Sequence, residues 1–182
     1  MSRSPAWVAR ARNTASTSTS RPSTCASLEC KLGDCSVTTG IRTLRVALHQ
    51  KRTVYRIIEI ESASSLHDLA EAIMASFDFD FEHPFGFYSS DKPDKMRQQQ
   101  PMYELFADTG QKTDAKSVQN TKVADVFAKA GHAMTLLYDY DAKWLFHVEM
   151  TGAGAKAAGK RYPRMAGSKG DAPDQYPDDF DI

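Results

Sequence analysis

His147 and Glu149 stand two residues apart in a run that alternates polar and apolar residues. On a β-strand their side chains leave the same side of the sheet. An imidazole beside a carboxylate can ligate a metal or move a proton. Asp139 and Asp141 lie in a polar stretch just ahead of Trp144, and His83 precedes Pro84 at the head of another apolar run. Brought together, His83, Asp139, Asp141, Trp144, His147 and Glu149 would form a polar ligand-binding or acid–base cluster. That demands functional atoms within roughly 3 to 5 Å of a common point. A plainer reading carries more weight. One face of an antiparallel sheet commonly meets water, and period-two alternation alone yields such a pair.

Other chemistries find no residues to support them. The glycines at 152 and 154 precede Lys156 without the spacing of a phosphate-binding loop, and no Gly-x-Ser-x-Gly elbow occurs. Cys25, Cys30 and Cys35 all fall in the first 40 residues. The segment has neither a close cysteine pair nor a histidine, so a zinc site is not expected there, and no thiol nucleophile is available to the remainder. Neither a metal nor a cofactor is expected. Phe77, Phe79 and Phe81 alternate with Asp78, Asp80 and Glu82, acids that would repel nucleic-acid phosphates, so core packing is the better role for these rings.

The charge balance agrees. The chain has 23 basic and 23 acidic residues; residues 1–40 hold 5 and 2 of them, leaving a slightly acidic remainder of 18 and 21. A nucleic-acid partner is therefore disfavoured. No apolar run approaches the roughly 20 residues of a membrane span. The cysteine-free remainder suits the cytoplasm. Residues 1–40 are Ser/Thr-rich, basic and without apolar periodicity; they read as a disordered tail rather than a targeting segment.

The elements that would position the polar residues are legible from residue 41 onward. Leu44, Val46 and Leu48 alternate in one strand, and residues 54–60 form a second, β-branched one after a short polar break. Ser65-x-x-Asp68 is a helix N-cap pattern, and Leu66, Leu69, Ala70, Ile73, Met74 and Phe77 follow as one apolar stripe. Residues 83–88 read as a third strand, 91–101 as an exposed loop, 102–106 as a short strand, and Thr121 as the cap of a short helix. A hairpin then spans residues 133–150: Met134, Leu136 and Tyr138 on one arm, Trp144, Phe146, Val148 and Met150 on the other, joined by Asp139 to Ala142. After Thr151 strand character fades, giving a basic block over 152–170 and an acidic one over 171–182. The expected fold is α+β: a mainly antiparallel sheet of about four to six strands with helices on one face.

Tyr55 to Ile60, Leu66-His67-Asp68-Leu69, His83-Pro84-Phe85-Gly86-Phe87, Tyr138-Asp139-Tyr140-Asp141 with Trp144, His147 and Glu149, Tyr162-Pro163-Arg164, and Gly170 to Pro177 occur in that order. The series resembles the plasmid pRiA4b ORF-3-like family over residues 41–178, leaving 179–182 as an acidic end. The resemblance implies an α+β sheet with helices on one side and an occurrence on plasmids and near mobile elements; it implies no activity. The family typically has Asp-Tyr/Phe-Gly-Asp before the tryptophan, whereas this chain has Asp141 and Ala142 at the last two positions. The functional expectation is a non-enzymatic binding or interaction module for a protein or small ligand, using the hairpin's polar face and the 162–177 tail. The alternative is a metal-dependent or acid–base enzyme built on the His/Asp/Glu set.

Overall fold

The structure, a computed structural model, describes residues 40–176 apart from Pro93. The expectations for residues 1–39 and for the acidic end lie outside the described residues. The elements are β1 (Ile41–Leu48), β2 (Tyr55–Glu61), α1 (Leu66–Ser76), β3 (Phe85–Tyr88), β4 (Met102–Glu104), β5 (Lys116–Ser117), α2 (Val123–Val126), β6 (Ala133–Tyr138), β7 (Trp144–Gly154) and β8 (Arg164–Lys169). Single 3₁₀ turns occur at Met96–Gln98 and Leu105–Asp108.

All eight strands join one sheet in the order β5-β4-β3-β6-β7-β1-β2-β8, antiparallel except for β4 with β5. The 133–150 hairpin therefore forms the two middle strands, with β3 on one flank and β1 on the other. Alternation sets the faces as expected. Leu44, Val46, Ile58, Ile60, Met134, Leu136, Tyr138, Phe146, Val148 and Met150 are buried in one cluster with the whole apolar stripe of α1. Ser65 and Asp68 close a reciprocal capping box that fixes where α1 starts.

Four expectations need correction. The sheet has eight strands, more than the four to six expected, and helices are sparse: α1 and the single turn α2. β7 runs on to Gly154, and β8 follows where strand character was expected to be lost. β8 is an edge strand, hydrogen-bonded to β2 alone and half exposed, so it has no need of alternating apolar residues. It is fixed by the ion pair of Arg164 with Glu59 and by buried Arg56, whose Nη1 donates to the carbonyls of Lys169 and Gly170 while Nε donates to Ser76 at the end of α1. The N-cap of α2 is Lys122; the Thr121 hydroxyl donates instead to the Ser117 carbonyl. Finally, the loop at 91–101 is not wholly exposed. Met96 dips under the sheet face opposite α1 and packs with Tyr88 and Met102 in a second, smaller apolar cluster.

No helix among the described residues is long and apolar enough to cross a membrane.

Candidate functional site

Pleating divides the six sequence-derived candidates. Trp144 shares the α1 face with Phe146, and its ring packs edge-on against Phe79 at 4.8 Å. His147 and Glu149 point to the opposite face, where His147 is flanked by Ala47 and Thr135 on the neighbouring strands. The two side chains do pair, His147 Nε2 lying 3.9 Å from Glu149 Oε2. Burial, followed by the positive charge of Arg52, holds the His147 imidazole below its ordinary pKa, so it sits there mostly neutral.

His83 and Asp139 do meet, on the other side of the sheet. Asp139 lies just past β6 in the left-handed region (φ 56°), which aspartate tolerates better than most residues. Its Oδ1 accepts the backbone N–H groups of Asp141 and Ala142, so this carboxylate builds the hairpin turn. Its Oδ2 is 3.7 Å from His83 Nδ1, and the His83 ring stands edge-on to buried Tyr138. The partner not anticipated is Tyr176, whose hydroxyl lies 2.7 Å from His83 Nε2 and donates to Asp139 Oδ2 at 3.4 Å. Gln175 Oε1 accepts the N–H of Asp80, and the Tyr138 hydroxyl donates to the Asp80 carbonyl. This cluster fastens the tail across the end of the sheet. Asp141 is exposed and takes no left-handed φ; Asp139 and Lys143 do. The glycine usual at position 141 in the resembled family is thus not needed to make this turn.

His83 and His147 are therefore on opposite faces, and the full His/Asp/Glu set does not converge. Among the described residues no group of three or more His, Cys, Asp or Glu side chains is placed to hold a metal ion.

A different constellation does converge, on the face opposite α1. Gly86 pairs with Glu104 across β3 and β4, and Tyr88 pairs with Met102. Tyr88 and Glu104 are thus diagonal neighbours, a separation an aromatic ring can span. The ring folds back over Gly86, where a Cβ would lie 2.8 Å from the Tyr88 hydroxyl and 2.9 Å from the Tyr103 carbonyl. The hydroxyl donates to Glu104 Oε1 at 2.6 Å and lies 2.9 Å from the Tyr140 hydroxyl. Thr113 donates to Glu104 Oε2 at 2.9 Å, and Arg97 Nε lies 3.5 Å from Oε1. The Arg97 guanidinium covers the Tyr140 ring, whose stacked neighbour is Phe106 at 5.2 Å. Burial above all, then the bond to Glu104, pushes the Tyr88 phenol far above its usual pKa, so it stays a donor throughout the accessible pH range; burial also raises Tyr140.

Glu104 is the floor of an open hollow of about 520 Å³ that Arg97, Phe106, Lys112, Thr113 and Tyr140 help to line. Phe106 and Gln111 also border a second hollow, of about 410 Å³, between His67, Phe81, His83 and Leu105. The two share Phe106 and Gln111 as lining residues but open on opposite sides of the sheet, the first on the face away from α1 and the second on the α1 side. None of Tyr88, Arg97, Glu104, Phe106, Thr113 and Tyr140 was among the candidate site residues read from the sequence. Tyr140 escapes because left-handed Asp139 breaks the alternation that would otherwise place it with Tyr138; the one available cue was Gly86 inside a strand run, a mark of close approach.

A family model described as plasmid pRiA4b ORF-3-like protein matches residues 41–180. The chain belongs to this family. As a pRiA4b ORF-3-like protein it also shares its fold with a solved structure, a protein of unknown function, MM3350, from Methanosarcina mazei Go1. The two are 20% identical with a TM-score of 0.59, over 75% of this chain and 73% of that one. Comparison with curated protein sequences finds no match.

Proposed function

We propose that this pRiA4b ORF-3-like protein is a non-enzymatic, cytoplasmic binding module whose recognition site is the cleft over Glu104, walled by Phe106 and Tyr140. The observation that carries the proposal is Glu104, a nearly fully buried carboxylate lying at the base of an open hollow beside an Arg97 side chain that is 62% exposed. Burying a carboxylate is costly unless it is well bonded, and an apolar residue here would serve stability as well. A charged floor under an open hollow, with aromatic walls, has the make-up of a ligand site. The hairpin's polar face supplies less: His147 and Glu149 answer each other there. An acid–base role for His83 is disfavoured because both ring nitrogens already face partners, Asp139 and Tyr176.

The test is a thermal-shift screen of the full chain with a library of small polar and aromatic compounds, repeated on Phe106→Ala. Hits whose stabilisation vanishes in the variant support the cleft. Hits that persist undiminished in the variant, or a complete lack of hits, would overturn it.

A further inference from the structure

The cleft over Glu104 carries more information than its volume, because its charges are arranged in two opposed pairs. Arg97 and Lys112 supply cations; Glu104 and Asp114 supply anions; all four line the same hollow of about 520 Å³. Arg97 is held by its Nε edge, 3.5 Å from Glu104 Oε1, and by its face, 5.0 Å from the Tyr140 ring centroid. The Arg97 side chain is largely exposed, which leaves its terminal amino groups accessible to an incoming group. A planar guanidinium lying over an aromatic ring presents its amino groups in the fork geometry that a carboxylate matches.

Glu104 has spare capacity of the opposite kind. Each carboxylate oxygen offers two lone-pair sites. Oε1 accepts from Tyr88 and Oε2 from Thr113, and the Arg97 nitrogen at 3.5 Å is too distant for a good hydrogen bond. One acceptor site per oxygen is left for a donor entering from the hollow. A ligand bearing only a negative charge would be attracted by Arg97 and repelled by Glu104; one bearing only a positive charge would meet the reverse. A ligand with both charges a few ångströms apart satisfies both. Phe106 and Tyr140, stacked at 5.2 Å, give an uncharged side chain an aromatic wall to lie against.

We infer that the cleft binds a free α-amino acid, its carboxylate on the Arg97 fork, its ammonium toward Glu104 and Asp114, and its side chain against the Phe106 and Tyr140 rings. The inference rests on the cleft being the recognition site and adds the chemical class of its ligand. Lys112 and Asp114 are exposed and serve as the outer pair of the same arrangement.

Isothermal titration of the full chain with each of the 20 standard amino acids tests it, followed for the best binder by its decarboxylated amine and its N-acetyl derivative. At least one amino acid is expected to bind with a Kd below about 1 mM, and loss of either ligand charge is expected to weaken binding by about tenfold or more. Arg97→Gln, an exposed position whose replacement spares the core, should cause a similar loss for the amino acid and none for the decarboxylated amine. Parent, amine and N-acetyl compound binding within about threefold of one another would overturn the inference. So would no binding by any amino acid at about 10 mM. If other compounds still stabilise the protein through Phe106 in that case, the recognition site stands and only the ligand class falls; if nothing does, both fall.

Discussion

Replacing Tyr88 by phenylalanine isolates the bond on which the Glu104 site depends. The ring is fully buried against Met96 and Met102, and phenylalanine keeps that packing. What disappears is the hydroxyl that donates to Glu104 Oε1 at 2.6 Å and meets Tyr140 at 2.9 Å. A hydrogen bond to a charged group contributes roughly 1.5–3 kcal/mol, and a buried acceptor left short of a donor loses most of that. Thr113 still donates to Oε2, which places the expected cost near the middle of the range, about 2 kcal/mol. For a domain of this size that is a fall in Tm of roughly 6 °C. In a Glu104→Gln background the acceptor is neutral, and the same Tyr88→Phe change should cost only about 1 kcal/mol. Equilibrium urea unfolding of the four proteins in this double-mutant cycle yields the coupling directly. A Tyr88→Phe cost under about 0.5 kcal/mol, or an equal cost in both backgrounds, would show that Glu104 is not a buried charge held by the phenol.

Gly86→Ala should destabilise by roughly 1–3 kcal/mol, because the new methyl group meets both the Tyr88 hydroxyl and the Tyr103 carbonyl under 3.0 Å; chemical denaturation measures it, and a neutral result would mean the ring does not lie over Gly86. Arg56→Met should cost about 3 kcal/mol in the same assay, since the buried guanidinium donates to carbonyls of Tyr55, Ser76, Lys169 and Gly170 and so ties β8 and the end of α1 to β2. His147 gives a pH dependence whose sign is fixed. Burial lowers its folded-state pKa, so below the unfolded value of about 6.5 the unfolded chain takes up the proton first. Stability should therefore be fully present above that pH and fall as pH drops toward the folded pKa. Urea midpoints at pH 7.5 and 5.5 should differ less in His147→Gln than in the parent protein, and an equal difference would contradict the assignment.

The parts of the fold that sequence periodicity reveals are those where one face is dry. The stripe Leu66 to Phe77 and the alternation of Met134 to Met150 could be assigned because burial there imposes a period on local residues. β8 could not, because an edge strand held by Arg56 and Arg164 needs no period of its own. The candidate site was less legible for a related reason. His147 and Glu149 are neighbours in sequence, and in the fold they pair with each other. Tyr88, Arg97, Glu104 and Tyr140 are spread over more than 50 residues, and they meet through β3–β4 register, a left-handed Asp139 and the burial of Met96. None of these leaves a local pattern. Asp139, a candidate for ligand binding in the sequence, is in the fold a turn carboxylate and a tail clasp.

The most direct measurement of the central claim is a two-dimensional amide NMR map of the full chain, titrated with the best-stabilising amino acid or screening compound. Shifts concentrated at Arg97, Glu104, Phe106, Gln111, Thr113 and Tyr140 are the expected result. Shifts centred on His147 and Glu149, or none at saturating ligand, would contradict the assignment of the Phe106 cleft as the recognition site.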